Sequence, residues 1–297
     1  MASIENRQQR LVSLYSSEQI AMLEPLSLSD CLTALPPRNS NSHKGSYGHA
    51  GIVGGDSGMA GAVLIASEAA ARVGAGLITC VTRACHCMAL NVRCPEVMSH
   101  SADDGDIAAL LKKTNALAVG PGLGQSEWGR NLLLNVLTTS QPLVVDADAL
   151  NLLSVDSQWA GLKRDNWILT PHMAEAARLL SCSVADIALD RVAAGIALQQ
   201  RFGGVVILKG AGSLVIDDAS EAIGVCLEGN PGMASGGMGD LLSGILVGLL
   251  AQGLAPAKAA RLGVCIHSYA ADIDAKHNGQ RGLLATDLLP IIRRLIG

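Results

Sequence analysis

The stretch Ala50-Gly-Ile-Val-Gly-Gly-Asp-Ser-Gly-Met-Ala-Gly-Ala-Val-Leu-Ile-Ala-Ser-Glu-Ala-Ala-Ala-Arg-Val-Gly-Ala-Gly-Leu-Ile-Thr-Cys-Val81 decides the architecture. Residues 50–53 and 77–81 read as short buried strands, and 60–73 between them reads as a helix of small side chains. Two strands joined through a helix form a βαβ unit, which requires a parallel sheet.

The same rhythm continues outward. Strand 116–119 is followed by the loop Gly120-Pro-Gly-Leu-Gly124, helix 127–137 and strand 143–145. Helix 149–153, strand 167–169, helices 173–180 and 184–200, and strand 205–208 come next. A hairpin of 213–216 with 222–226 is the one antiparallel interruption, and helices 240–251, 256–276 and 287–295 end the chain. Residues 1–40 are polar, Ser-rich and carry Pro36-Pro37, with a single short helical pattern at 17–23. They read as an N-terminal appendage to one domain over 41–297. The expected fold is a three-layer, doubly wound α/β domain with a mostly parallel sheet, whose ligands sit outside the carboxyl ends of the strands.

Composition agrees with this class. The chain has 297 residues, 49% hydrophobic but only 2% aromatic, so its core is built of Ala, Val, Ile and Leu, as suits helices packed closely on a sheet. A formal charge of −4 and a pI near 6.0 give no basic face for a nucleic acid. The longest apolar run, 241–254, falls short of the ~20 residues of a membrane span and contains Gly244, Gly248, Gln252 and Gly253. It reads as a buried helix. Eight cysteines without CxxC pairs, and no secretory signal, point to reduced thiols in the cytoplasm. Cys85-His86-Cys87 with Cys94 is the only thiol cluster, and CxC spacing is rare in structural zinc sites.

Six segments carry candidate chemistry. In Asn230-Pro-Gly-Met-Ala-Ser-Gly-Gly-Met-Gly-Asp240, small residues let N–H groups converge at a helix start, where a phosphoryl group is stabilised. Asp240 can cap that helix, or it can accept the proton of a hydroxyl that attacks phosphorus while the Gly N–H groups meet the developing charge. Val206-Ile-Leu-Lys-Gly-Ala-Gly-Ser213 is a strand running into a tight turn that can lie against a nucleotide, with Lys209 toward phosphate, or it is an ordinary hairpin. The segment Gly51-Ile-Val-Gly-Gly-Asp-Ser-Gly-Met-Ala-Gly-Ala62 satisfies neither the G-x-G-x-x-G fingerprint nor the P-loop, and its glycines can serve close packing alone. Gly120-Pro-Gly-Leu-Gly124 offers N–H groups in a rigid frame or forms a plain turn. Asp146 and Asp148 stand at a strand end, within reach of Mg²⁺ directly or through water, although one of them is expected to cap the next helix. His172 and Glu175 stand one turn apart at a helix start. Capping explains the Glu, whereas the His is less easily explained by structure.

Taken in order, these segments resemble the ADP/ATP-dependent NAD(P)H-hydrate dehydratases, a branch of the ribokinase-like superfamily. The matching stretches are His43-Lys-Gly-Ser-Tyr-Gly48, Gly54-Gly-Asp-Ser-Gly-Met-Ala-Gly-Ala62, Gly120 to Gly124, Asp146 to Asn151, Thr170-Pro-His172 with Glu175, Lys209 to Ser213, Asn230 to Asp240, and Arg281-Gly-Leu-Leu-Ala-Thr-Asp287. The resemblance implies a hydro-lyase in which Asp240 activates the hydrate hydroxyl, with Gly237 and Gly239 beside it. It implies that Ala62, Gly122, Gly124 and His172 line the dinucleotide. Lys209, Gly210, Ala211, Gly212, Ser213 and Gly239 would hold ADP or ATP. Mg²⁺ would bridge the phosphates, with Asp146, Asp148 and Glu175 as outer-shell ligands.

The implied assembly is a homo-oligomer, such as a tetramer, with a functional link to an NAD(P)H-hydrate epimerase. No epimerase domain fits within residues 1–40, so the sequence is that of a stand-alone dehydratase or of part of a longer protein. Ala174 and Ser213 depart from the family pattern, where Gly and Thr are usual. Two other readings stay open. One is a small-molecule kinase of the same superfamily acting on a hydroxymethylpyrimidine, thiazole or pyridoxal-like alcohol. The other is a non-catalytic nucleotide-binding sensor.

Overall fold

A computed structural model describes residues 4–103, 107–159, 161–218 and 222–297. Ten strands of the described residues form one sheet: β1 (Leu23–Pro25), β2 (His49–Val53), β3 (Leu77–Thr82), β4 (Val97–Ser101), β5 (Ala116–Val119), β6 (Leu143–Val145), β7 (Trp167–Leu169), β8 (Val205–Leu208), β9 (Ser213–Ile216) and β10 (Ile223–Cys226). Their order is β1-β10-β9-β8-β7-β6-β5-β2-β3-β4. Every pairing is parallel except those of β9 with β8 and β10.

Alternation along the strands divides the core. Ile52, Ala118, Val144, Ile168 and Ile207 pack into one apolar layer, and their neighbours Val53, Val119, Val145, Leu169 and Val206 into the other. The first layer is closed by α3 (Leu28–Leu32), α4 (Ala60–Arg72), α5 (Ala84–Arg93), α12 (Met238–Ala251), α13 (Pro256–Asn278) and α14 (Leu289–Ile296). The second is closed by α1 (Ile4–Leu14), α6 (Ile107–Leu111), α7 (Glu127–Leu137), α8 (Ala147–Val155), α9 (Met173–Leu180), α10 (Val184–Leu189) and α11 (Arg191–Phe202), with the short α2 (Ser17–Ile20) beside α1. The expected three layers are present.

The apolar run 241–254 is the buried α12, and its glycines have a packing reason. A Cβ on Gly244 would come within 2.2 Å of Ala66 O, and one on Gly248 within 2.4 Å of a Val73 methyl, because α12 lies directly on the small-residue helix α4. Leu241, Ile245 and Leu249 are fully buried there, each burial being worth about 1.5–3 kcal/mol. No helix of the described residues is long and apolar enough to cross a membrane.

Several elements differ from the sequence reading. Residues 1–40 were expected to form an appendage, yet β1 pairs in parallel with β10, and Leu26 and Leu28 enter the core. A three-residue edge strand ending in Pro25 carries no periodicity to reveal it. The stretch 84–111 was assigned no elements and holds α5, β4 and α6, since an edge strand such as Val-Met-Ser-His-Ser is polar on its open side. Helix 184–200 is two helices, broken where Asp190 accepts the N–H of Ala193 and caps α11.

The strand order reverses between β2 and β5. Loops 54–62 and 120–124 leave the carboxyl ends of these two strands, so both border the switch point where doubly wound sheets bind ligands.

Candidate active site

The floor of the site is a buried ion pair. Asp146 follows β6 with 1% exposure, and Ala147 turns the chain through a left-handed φ of 46°. Asp146 Oδ1 accepts from Lys209 Nζ at 2.8 Å and from Thr170 Oγ1 at 2.7 Å, while Oδ2 accepts from Ser243 Oγ at 2.7 Å. Burial alone would raise the Asp146 carboxyl. The Lys209 ammonium and the two hydroxyls outweigh it and hold the group below the usual carboxylate range. Burial likewise opposes the charge on Lys209, but Asp146, Glu175 and Asp240 together keep its ammonium above the ordinary lysine value.

Above this floor the 230–240 loop enters α12. Asp272 accepts the Gly229 N–H and the Asn230 amide, both at 2.9 Å, and Ser235 Oγ donates to Leu283 O at 3.0 Å. Gly237 is the N-cap residue of α12 at φ 89°, and a Cβ there would meet Ile65 at 2.8 Å. The left-handed backbone demands that glycine, since the Ile65 contact is with the mobile end of a side chain. Gly236 and Gly239 are different, since a Cβ on Gly236 would meet nothing, and one on Gly239 would make only ordinary contact, 3.5 Å from Asp146 Oδ2 and 3.6 Å from Lys209 Nζ. Packing requires neither of these two glycines.

Asp240 lies in the first turn of α12, where backbone N–H groups have no helical partners. Among the described residues no hydrogen bond or ion pair engages its carboxylate. Burial first, then Asp146 and Asp148, push its pKa up to about 6 against the pull of Lys209. A half-buried carboxylate without donors, titrating near neutrality, is suited to proton transfer.

The opposite wall joins two loops predicted separately. Gly55 N–H donates to Pro121 O at 3.0 Å, Asp56 N–H donates to Gly122 O at 2.6 Å, and Gly124 N–H is held by Asp148 Oδ2 at 2.9 Å. Ala62, in the first turn of α4, faces Gly122, where an added Cβ would come within 3.0 Å of its own. Gly54 serves packing, since a Cβ on it would meet Pro121 O at 2.0 Å. Arg83, which carried no sequence signal, and His86, read from the sequence only as part of a thiol cluster, brace this wall: Arg83 pairs with Asp56 at 2.8 Å, and His86 Nδ1 lies 3.0 Å from Gly55 O.

Two expectations change. His172 has a structural explanation after all: its Nδ1 accepts the N–H groups of Ala174 and Glu175 and caps α9, while Glu175 accepts the His172 N–H at 2.7 Å. This places the ring proton on Nε2, 3.3 Å from Glu175 Oε1. As for Asp146 and Asp148, neither side chain caps α8; Asp148 instead holds Gly124 and Gln125. Burial raises the Glu175 carboxyl, and Lys209, 3.8 Å away, opposes the shift. Among the described residues no group of three or more His, Cys, Asp or Glu is placed to hold a metal ion. Asp146 has 1% exposure, and both of its oxygens accept hydrogen bonds from protein groups.

The 209–213 turn stands beside this floor, with Lys209 N–H bonded to Pro171 O at 2.9 Å. A crevice of about 1150 Å³, lined by Leu35, Arg38, Tyr47, Arg72 and Arg293 among others, lies at the opposite end of the strands and shares no residue with the site.

Comparison with known proteins adds the following. Residues 50–294 match the family model described as NAD(P)H-hydrate dehydratase. A bifunctional NAD(P)H-hydrate repair enzyme of Coxiella burnetii is 52% identical over 88% of this chain and 53% of its own length. The chain thus spans about half the length of the curated relatives it matches first. An ADP-dependent (S)-NAD(P)H-hydrate dehydratase of Neisseria meningitidis is 41% identical over 87% of this chain and 88% of its own. An ADP/ATP-dependent NAD(P)H-hydrate dehydratase of Bacillus subtilis, co-crystallised with ATP and Mg²⁺, superposes with a TM-score of 0.79 at 29% identity, covering 91% of this chain and 96% of its own.

Proposed function

The chain belongs to the NAD(P)H-hydrate dehydratase family, and on that premise we propose that it returns hydrated NADH or NADPH to the reduced dinucleotide at the expense of ADP or ATP. The observation that carries this reading is Asp240, a carboxylate left without donors at a helix N-terminus, above the Asp146–Lys209 pair.

Asp240 accepts the proton of the hydrate hydroxyl as its oxygen attacks the terminal phosphorus of the nucleotide. N–H groups at Gly237 and Gly239 meet the charge on the transferred group. The lone pair of the tetrahydropyridine nitrogen then expels phosphate, a far better leaving group than hydroxide, and a ring proton passes to the departing phosphate or water as the double bond of the dihydropyridine is restored. Lys209 sits beneath the transferred group, its charge held by Asp146. Ala62, Gly122 and Gly124 form the dinucleotide wall, with His172 at its edge, and the 209–213 turn with Gly239 holds the nucleotide. Mg²⁺ enters on the nucleotide phosphates and not in a protein-built cage, as is usual for this ion. An epimerase that interconverts the hydrate's forms is the expected functional partner.

The test is incubation of the protein with chemically prepared NADH hydrate and either ADP or ATP, following the return of reduced-nicotinamide absorbance, with Asp240→Asn in parallel. Nucleotide-dependent recovery abolished by the substitution is expected and names the cosubstrate. A folded protein that binds ATP but restores nothing would instead favour a kinase for a small alcohol, which shares the first chemical step.

A further inference from the structure

The break at Asp190 sets Arg191 at the start of α11, under the turn that follows β8. Its guanidinium donates Nη1–H to Ala211 O at 2.5 Å and Nη2–H to Gly212 O at 3.0 Å and Leu208 O at 3.3 Å. The Tyr15 hydroxyl donates to the same Gly212 O at 2.7 Å and accepts from Arg191 Nη1 at 3.2 Å. Burial raises the Tyr15 phenol, so it remains a donor at neutral pH.

In a trans peptide the carbonyl of one residue and the N–H of the next point opposite ways. With the carbonyls of Leu208, Ala211 and Gly212 gathered on one cation, the N–H groups of Lys209, Gly212 and Ser213 are turned to the far side. That of Lys209 is taken by Pro171 O and Ser213 opens β9, whereas that of Gly212, like the neighbouring N–H of Ala211, has no partner among the described residues. Both glycines of the turn fit against this brace. A Cβ on Gly210 would meet Arg191 Nη2 at 3.0 Å, and one on Gly212, at φ 65°, would meet Leu14 at 2.9 Å.

The other end of α1 reaches the second loop. Arg10 Nη2 donates to Gly229 O at 2.9 Å, and Arg7 Nε pairs with Glu228 at 3.0 Å, immediately before the 230–240 segment. From Arg7 to Tyr15 is eight residues, about 12 Å of helix.

We propose that Arg191 and Tyr15 are positioning residues for the nucleotide cosubstrate: they draw the carbonyls of the 208–212 turn away from the phosphates and present its free N–H groups to them, while α1 ties that turn to the loop bearing Asp240. The inference rests on the nucleotide reading given above and concerns a nucleoside di- or triphosphate bound through backbone N–H groups. Arg191 itself touches no substrate. A lysine cannot replace it, because one ammonium does not span the fork that serves three carbonyls.

The experiment measures ADP and ATP binding by calorimetry, and both Michaelis constants, on the full chain and on Arg191→Lys, Arg191→Ala, Tyr15→Phe and Lys209→Ala. Arg191→Lys should weaken nucleotide binding roughly tenfold and Tyr15→Phe about threefold, as expected for loss of hydrogen bonds that involve a charge or a hydroxyl. The KM for NADH hydrate should move less than about twofold, a split that general loosening of the fold would not produce. Added guanidinium should restore part of the nucleotide affinity of Arg191→Ala. If Arg191→Lys does not fold, Tyr15→Phe, which removes a single oxygen, decides. Unchanged nucleotide affinity in folded Arg191→Lys and Tyr15→Phe, with affinity lost in Lys209→Ala, overturns the inference and leaves the nucleotide site standing. Affinity indifferent to Lys209→Ala overturns both.

Discussion

Two junctions of this molecule each bring a carboxylate to Lys209, and they treat it in opposite ways. At the end of β6, Asp146 receives one ammonium and two hydroxyls and is held charged. At the start of α12, Asp240 receives no donor and is pushed up to about 6. Burial disfavours both anions, so the difference lies in their neighbours: donors around Asp146, and the like charges of Asp146 and Asp148 around Asp240. A buried carboxylate that is fully partnered is part of the scaffold, and one kept without partners is available to accept a proton.

The sharpest way to break this contrast is to neutralise each acid in turn. Asp240→Asn should lower kcat about 10³-fold, as for loss of a general base, with the fold intact by circular dichroism. Asp146→Ala should instead act on stability, because it leaves the Lys209 charge buried. A loss of about 3–5 kcal/mol, or a drop in Tm of about 10 °C, is expected in thermal unfolding.

Titration separates the two sites further. Asp240 has a raised pKa, so the folded state binds its proton more tightly than the unfolded chain. It therefore costs stability as pH rises from about 4 to about 6, by about 2–3 kcal/mol in total. Asp240→Asn should accordingly be the more stable protein at pH 8 and no more stable than the parent at pH 4. The same group should give kcat/KM an acid limb near pH 6. Asp146 has a lowered pKa, so its contribution is present above the ordinary carboxylate value and disappears as pH falls through its own lower one. An acid limb of activity that survives in a chain with Asp240 replaced would assign the limb elsewhere.

Smaller changes probe the supports of Asp146. Ser243→Ala removes one hydroxyl donor and should cost about 1–2 kcal/mol in denaturant unfolding, with kcat nearly unchanged. Ala147→Gly relieves a left-handed backbone at the price of some chain entropy, for a net gain of about 0.5 kcal/mol. A loss of stability in that variant would mean that the Ala147 turn is not strained.

Much of the scaffold was legible beforehand. Short runs such as Leu-Val-Val at 143–145 and Val-Val-Ile-Leu at 205–208 are buried on both faces, and their alternation with helical segments points to a parallel sheet covered by helices. Loops following such strands point to the binding edge, so the segments holding Gly122, Gly124, Lys209 and Asp240 could be picked out as candidates. Edge strands β1 and β4 could not, because half of their surface is free of the core and need not be apolar.

Residue types and spacing by themselves determined the fold class, the loops that gather at the sheet's edge, and the carboxylate at the head of α12. Only the tertiary structure decided what each polar group does there. Asp146 and Asp240 are the same residue type at similar junctions, and Thr170, Ser243 and Lys209 that distinguish them lie 24, 97 and 63 positions from Asp146 along the chain. Arg191 became a brace for the same reason, whereas the His172 cap is local, its donors lying two and three positions along the chain. Hydrogen bonding and burial depend on neighbours in space, and in a doubly wound sheet those neighbours come from strands far apart in sequence.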